Sequence, residues 1–91
     1  MSVEVRIPSL LQTFVGGSKS VTVEGQTVGQ LLDNLDSLYP GFRRRVLDEA
    51  GKLHQFVNVF VNDEDIRFLE DLGTPVGDGD TISILPAVAG G

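Results

Sequence analysis

Only the stretch from Thr27 to Tyr39 has the spacing of a long amphipathic helix, and strand-like alternation flanks it on both sides. Its apolar residues are Val28, Leu31, Leu32, Leu35, Leu38 and Tyr39. Steps of three and four place them on one helical stripe. Thr27 followed by Gln30 has the spacing of a capping box, in which Thr27 caps the helix and Gln30 reaches back to it. Pro40 disfavours helix at Tyr39, and Gly41 marks the stop. One amphipathic helix can cover one face of one sheet. The chain is therefore expected to form two layers, with the other sheet face turned to water.

The remaining segments supply that sheet. Val3, Val5 and Ile7 alternate with Glu4 and Arg6, the period of a half-buried strand, and Pro8 closes the run. Gly16-Gly17-Ser18 reads as a turn, and Val21 and Val23 alternate in a second strand. These two strands are expected to form an antiparallel hairpin. Phe42 to Leu47 is read as a short second helix with Phe42 and Val46 inward. Its arginines, Arg43, Arg44 and Arg45, are read as a solvated face near Asp48 and Glu49 rather than an anion patch. Asp48 to Lys52 is a loop.

Phe56 to Val61 is the clearest strand. Val57, Val59 and Val61 share one face; Phe56, Asn58 and Phe60 share the other. The acidic run Asn62-Asp63-Glu64-Asp65 lacks the spacing of a calcium-binding loop and reads as a tight turn. Ile66 to Phe68 is taken as a short edge strand. Gly77-Asp78-Gly79-Asp80 is a turn. Thr81 to Leu85 is the last strand, with Ile82 and Ile84 inward and Ser83 and Leu85 outward. The order is β-β-α-β-β-β. The helix supplies the crossover that lets the first and last strands pair in parallel. The expected class is α+β, a mixed sheet of four to five strands packed on one main helix. The domain spans 1–85, with a flexible tail at 86–91. Spacing by itself leaves other α+β topologies open.

Composition narrows the function. With 91 residues the chain makes one domain, which hides roughly 60–65% of its unfolded surface. It has no cysteine, which excludes a disulfide, a thiolate metal site or a catalytic thiol, and His54 is its single histidine. Its net charge of −6 argues against nucleic-acid binding and reads as a solubility feature. The N-terminal residues show neither a secretory signal nor a membrane span, so a cytoplasmic location is expected. Such a chain enters chemistry as a carrier or substrate, not as a catalyst or a metalloprotein.

After Leu85 the sequence runs Pro86-Ala87-Val88-Ala89-Gly90-Gly91. Pro86 lacks a ladder donor and is expected to end the strand. Six small, uncharged residues reach about 20 Å when extended. The bare glycines would let such a tail thread a narrow channel and present a carboxylate to another protein's active site. Terminal glycines by themselves fit a frayed end almost as well. On the outward sheet face, exposed Phe60 and Leu85 would form an apolar docking patch beside the tail. The competing arrangement has Phe56, Phe60 and Leu85 covering one another, or packing under the loop around Leu53.

Longer motifs are more specific. Gly79-Asp80-Thr81-Ile82-Ser83-Ile84-Leu85-Pro86, running on to Gly90-Gly91, resembles the ending of the MoaD/ThiS sulfur-carrier family: a GD turn, an apolar strand, a proline and two glycines. Val59-Phe60-Val61-Asn62-Asp63-Glu64 resembles that family's V-x-V-N-x-E strand and turn. His54 to Asn58, Arg67-Phe68, Ile7-Pro8, Gly16-Gly17 and Lys19-Ser20-Val21 extend the likeness to the branch that serves cysteine biosynthesis. The resemblance covers essentially the whole chain and implies a ubiquitin-like β-grasp.

It also implies that an E1-like adenylyltransferase/sulfurtransferase adenylates the Gly91 carboxylate and that sulfur then displaces AMP, leaving a thiocarboxylate. The cysteine branch further implies a pyridoxal-phosphate-dependent cysteine synthase as acceptor and a metal-dependent peptidase that releases the product. ATP and pyridoxal phosphate would belong to those partners, with no cofactor bound by the carrier. In related carriers the position matching Leu85 lies in the interface with the activating enzyme. Two alternatives stand beside this: a modifier joined to lysines through Gly91, and a sulfur donor for thiamin or molybdopterin synthesis.

Overall fold

A computed structural model describes residues 2–55 and 57–86. Its strands are β1 (Ser2–Arg6), β2 (Ser20–Glu24), β3 (Val57–Val61), β4 (Glu64–Asp65) and β5 (Thr81–Pro86). Its helices are α1 (Val28–Leu38) and α2 (Phe42–Val46). The sheet order is β2-β1-β5-β3-β4. β1 and β2 form the expected antiparallel pair, while β1 and β5 run parallel at the centre. β5 also pairs antiparallel with β3, so both of its edges are occupied. This is the ubiquitin-like β-grasp.

Alternation along each strand sorts the side chains. Val3, Val5, Val23, Val59, Val61, Ile82 and Ile84 point inward and are buried. They meet Val28, Leu31, Leu32 and Leu35 of α1, with Phe42 and Val46 of α2 closing one end. Leu38, placed by its spacing on the same stripe, is 61% exposed. It stands at the helix's last turn, beyond the packed layer, and borders a surface groove with Thr22, Val23 and Glu24 of β2.

The cap of α1 differs in one detail from the expected box. Thr27 Oγ1 accepts from the Gln30 N–H at 3.2 Å. The Gln30 side chain accepts instead from the Gln26 N–H at 2.8 Å, one residue before the cap. Thr27 itself is held in a β-bridge with Pro75. The helix stops at Leu38, as Pro40 required.

One local expectation changes, and two others gain detail. The turn expected at Gly16-Gly17 is present, with further structure ahead of it. Ser9–Val15 forms a 3-10 helix that buries Val15 before Gly16 and Gly17 turn the chain. Their positive φ angles, 68° and 84°, suit residues without a Cβ. Ile66–Phe68 is likewise a 3-10 turn and not an edge strand. Asp65 causes this by accepting from the Arg67 N–H at 2.8 Å, which curls the chain out of the ladder. The arginines of α2 are exposed as expected, but Arg43 pairs with Asp33 of α1 at 2.9 Å and Arg45 lies 4.7 Å over the Phe14 ring.

Candidate functional site: the end of strand β5

β5 carries the chain out of the middle of the sheet. Buried Ile82 and Ile84 anchor it from below, while Leu85, 47% exposed, faces outward. Across the sheet Leu85 is opposite Asn58, and Ser83 is opposite Phe60. Of the two expected docking residues, Leu85 stands open and Phe60 is half-buried. On the other side of β5, Arg6, Pro8, Ser83 and Leu85 border a shallow groove of about 270 Å³. Ile7 and Ile84 complete the lining, so exposed Leu85 continues a mainly apolar groove edged by Arg6 and Ser83 near the end of β5.

Pro86 is the final residue of β5, opposite Val57, and so belongs to the strand rather than to the tail. The ladder explains why a proline is tolerated there. The Asn62 N–H bonds the Thr81 carbonyl of β5 at 2.7 Å, whereas the Val57 carbonyl turns away from β5 to accept from Arg67 at 2.8 Å. By alternation, Asn58 and Phe60 bond to β5, and Val57 does not. Pro86 therefore occupies a position where β3 offers no carbonyl to its missing N–H. Asn58 with Leu85 is the last bonded rung. The remaining tail positions, Ala87, Val88, Ala89, Gly90 and Gly91, lie outside the described residues, as does Phe56.

The far end of β5 is pinned by the two motifs that sequence reading treated as separate signatures. Asn62 Nδ2 donates to Asp80 Oδ1 at 3.2 Å, and its Oδ1 accepts from the Thr81 N–H at 3.1 Å. Asp80 Oδ2 accepts from the Gly77 N–H at 2.9 Å. The asparagine after β3 and the aspartate before β5 thus form one knot. The acidic turn is structural, as its spacing suggested.

Sequence reading gave no role to Arg67. Its guanidinium donates to Asn58 Oδ1 at 2.7 Å and to the carbonyls of Val57 and His54 at 2.8 and 3.1 Å. Asp65 lies 3.9 Å away. A lone arginine after an acidic turn carries no local signal for such contacts. Phe68 beside it is 87% exposed, a consequence of the 3-10 turn that alternation did not foresee.

Among the described residues no catalytic grouping surrounds this end. His54 is occupied structurally, its Nε2 lying 3.2 Å from the Arg44 carbonyl. Among the described residues no cluster of three or more histidines, aspartates or glutamates is placed to hold a metal ion. Nor is any helix among them long and apolar enough to cross a membrane. What the geometry provides is a central strand paired on both sides, with an exposed leucine next to its last residue.

Comparison with known proteins covers the same ground from end to end. Residues 5–91 match the ThiS family. The chain is 50% identical to the "Sulfur carrier protein CysO" of Mycobacterium tuberculosis, with all of both chains covered. It is 33% identical to "Small archaeal modifier protein 3" of Haloferax volcanii, again with full coverage of both. Among solved structures, a chain from the Amycolatopsis orientalis BexX/CysO complex superposes with a TM-score of 0.91 at 52% identity, covering 98% of this chain and 99% of that one.

Proposed function

This chain belongs to the ThiS family, and from that premise we propose that it is a sulfur carrier for cysteine biosynthesis, working through its Gly91 carboxylate. The observation that carries the reading is the full-length 50% identity to CysO. The geometry of β5 supports it: the strand is paired with β1 and β3 and carries an exposed leucine next to its last residue, Pro86. The chain is a carrier rather than a catalyst.

The chemistry follows from the weak electrophilicity of a carboxylate. A Gly91 carboxylate oxygen attacks the α-phosphorus of ATP on an E1-like partner, and pyrophosphate leaves. Hydrosulfide then attacks the acyl carbon, AMP leaves with the bonding electrons, and the thiol proton is lost. The product is a thiocarboxylate, whose sulfur is the nucleophile passed to the acceptor. In the cysteine branch that acceptor belongs to a pyridoxal-phosphate-dependent synthase, and a metal-dependent peptidase frees the new cysteine. ATP and pyridoxal phosphate are held by those partners. Leu85 docks against the activating enzyme, and half-buried Phe60 contributes the flank of that contact.

The resemblance to an archaeal modifier favours a second use of the same activated carboxylate, with a lysine amine replacing sulfur as nucleophile. Intact mass of protein from its own host separates the two. A gain equal to the difference between sulfur and oxygen, localised to Gly91, identifies the carrier. High-mass conjugates lost on deletion of Gly91 identify the modifier. Adding one alanine after Gly91 is expected to abolish adenylation while leaving the melting temperature unchanged. An extended protein that is still adenylated would overturn the assignment of Gly91.

A further inference from the structure

We propose that Arg67 is a positioning residue, a latch that sets where β5 releases the chain and how Leu85 is presented. The inference rests on the sulfur-carrier reading for its kinetic consequence but not for its structural one.

β4 pairs with β3 through Phe60–Asp65 and Val61–Glu64. Past Asp65 the chain leaves that ladder in the 3-10 turn Ile66–Phe68, and the Arg67 side chain reaches back to Asn58 Oδ1 at 2.7 Å. β3 pairs with β5 through Asn58–Leu85. Arg67 thus bears on the residue that makes the last bonded rung of β5.

β4 is only two residues long, so no strand continues beside the start of β3. The Val57 carbonyl faces that gap, and the His54 carbonyl precedes it. Arg67 fills the gap with side-chain donors, taking both carbonyls and Asn58 Oδ1 at 2.7–3.1 Å. A guanidinium can do this because its donors lie in a fixed planar fork. A lysine ammonium has one centre and cannot reach three separated acceptors in the same way. With its side chain 35% exposed and Asp65 beside it 17% exposed, the latch is partly shielded from competing water.

Without the latch, the start of β3 loses its outer support. The Asn58–Leu85 rung, already the last bonded one, then frays. β5 would release the chain earlier, and Leu85 would no longer be held at one angle to an approaching partner. The cost falls on docking and not on the bond-making step, which takes place on the activating enzyme.

The test uses the full-length protein and the variants Arg67→Ala, Arg67→Lys and Asn58→Ala. Amide hydrogen exchange on the carrier alone should accelerate at Asn58 and Leu85 in Arg67→Ala, with Val3 and Val5 of β1 unchanged. Adenylation by the activating enzyme, followed by pyrophosphate release, should show KM for the carrier raised about ten-fold with kcat unchanged. Arg67→Lys and Asn58→Ala should fall between. Wild-type exchange at Asn58 and Leu85 in Arg67→Ala overturns the latch. So does a fall in kcat at constant KM. If Arg67→Ala does not fold, Arg67→Lys and Asn58→Ala carry the same comparison. A wild-type chain that is never adenylated counts against the carrier reading, and the exchange measurement then decides the latch by itself.

Discussion

Ile84 and Leu85 are neighbours in sequence with opposite fates. Ile84 is 1% exposed in the core, and Leu85 is 47% exposed on the opposite face. Ile84→Ala is expected to destabilise the fold by about 2–5 kcal/mol, because it removes buried methyl groups and leaves a cavity. Leu85→Asp should change stability by less than about 1 kcal/mol, since that side chain is half in water already. Its effect should appear as a raised KM for the activating enzyme at unchanged kcat. Denaturant melts and adenylation kinetics on both variants would distinguish the two roles. A Leu85→Asp protein with wild-type KM would remove Leu85 from the docking face. These opposite faces were legible in the sequence, because a strand's side chains alternate whatever it packs against.

At the scale of elements, the two helices are joined through one carboxylate. Asp36 Oδ1, on α1, accepts from the Gly41 N–H at 3.1 Å and from the Arg43 N–H at 3.0 Å. It therefore caps α2 from the helix before it. Gly41 at φ 98° makes the turn between them, a conformation that glycine adopts without penalty. Asp36→Ala is expected to cost about 0.5–2 kcal/mol, in the range of a lost N-cap. A lowered melting temperature with adenylation kinetics unchanged would bear this out. Unchanged stability would show that solvent replaces the cap. The existence of both helices was readable from spacing; this cap was not. Asp36 sits in the last turn of α1, where an acid reads as part of the solvated face. The same limit hid the turn at Ile66–Phe68, where Asp65 diverts a β-like sequence.

Across the molecule, the parallel pairing of β1 with β5 sets the start of β1 and the end of β5 at opposite ends of the sheet. Glu4 lies opposite Thr81 and Arg6 opposite Ser83, so β1 starts at the end of the sheet where β5 starts. The Ser2 N–H bonds Asp78 Oδ1 at 3.0 Å at that same end. β5 ends, at Pro86, at the other. A folded domain fused ahead of Ser2 is therefore expected to leave adenylation intact, while the same domain fused after Gly91 should abolish it. Comparing the two fusions with one activating enzyme checks this. Equal activity of both would place the reactive position elsewhere.

What the sequence determined by itself was local. Periodicity of two and of 3.6 named the strands, the helix and the inward faces, and the family-like ending pointed to Gly91. The tertiary structure decided how distant pieces serve one another. It joined Asn62 to Asp80 across the sheet and made Pro86 a strand residue at a rung without a bond. It also turned Arg67 into the support of the segment that holds Leu85. The physical reason is range. Side-chain alternation follows from the geometry of consecutive peptides, whereas a guanidinium finds carbonyls ten and thirteen positions away only after the strands between them have set their register.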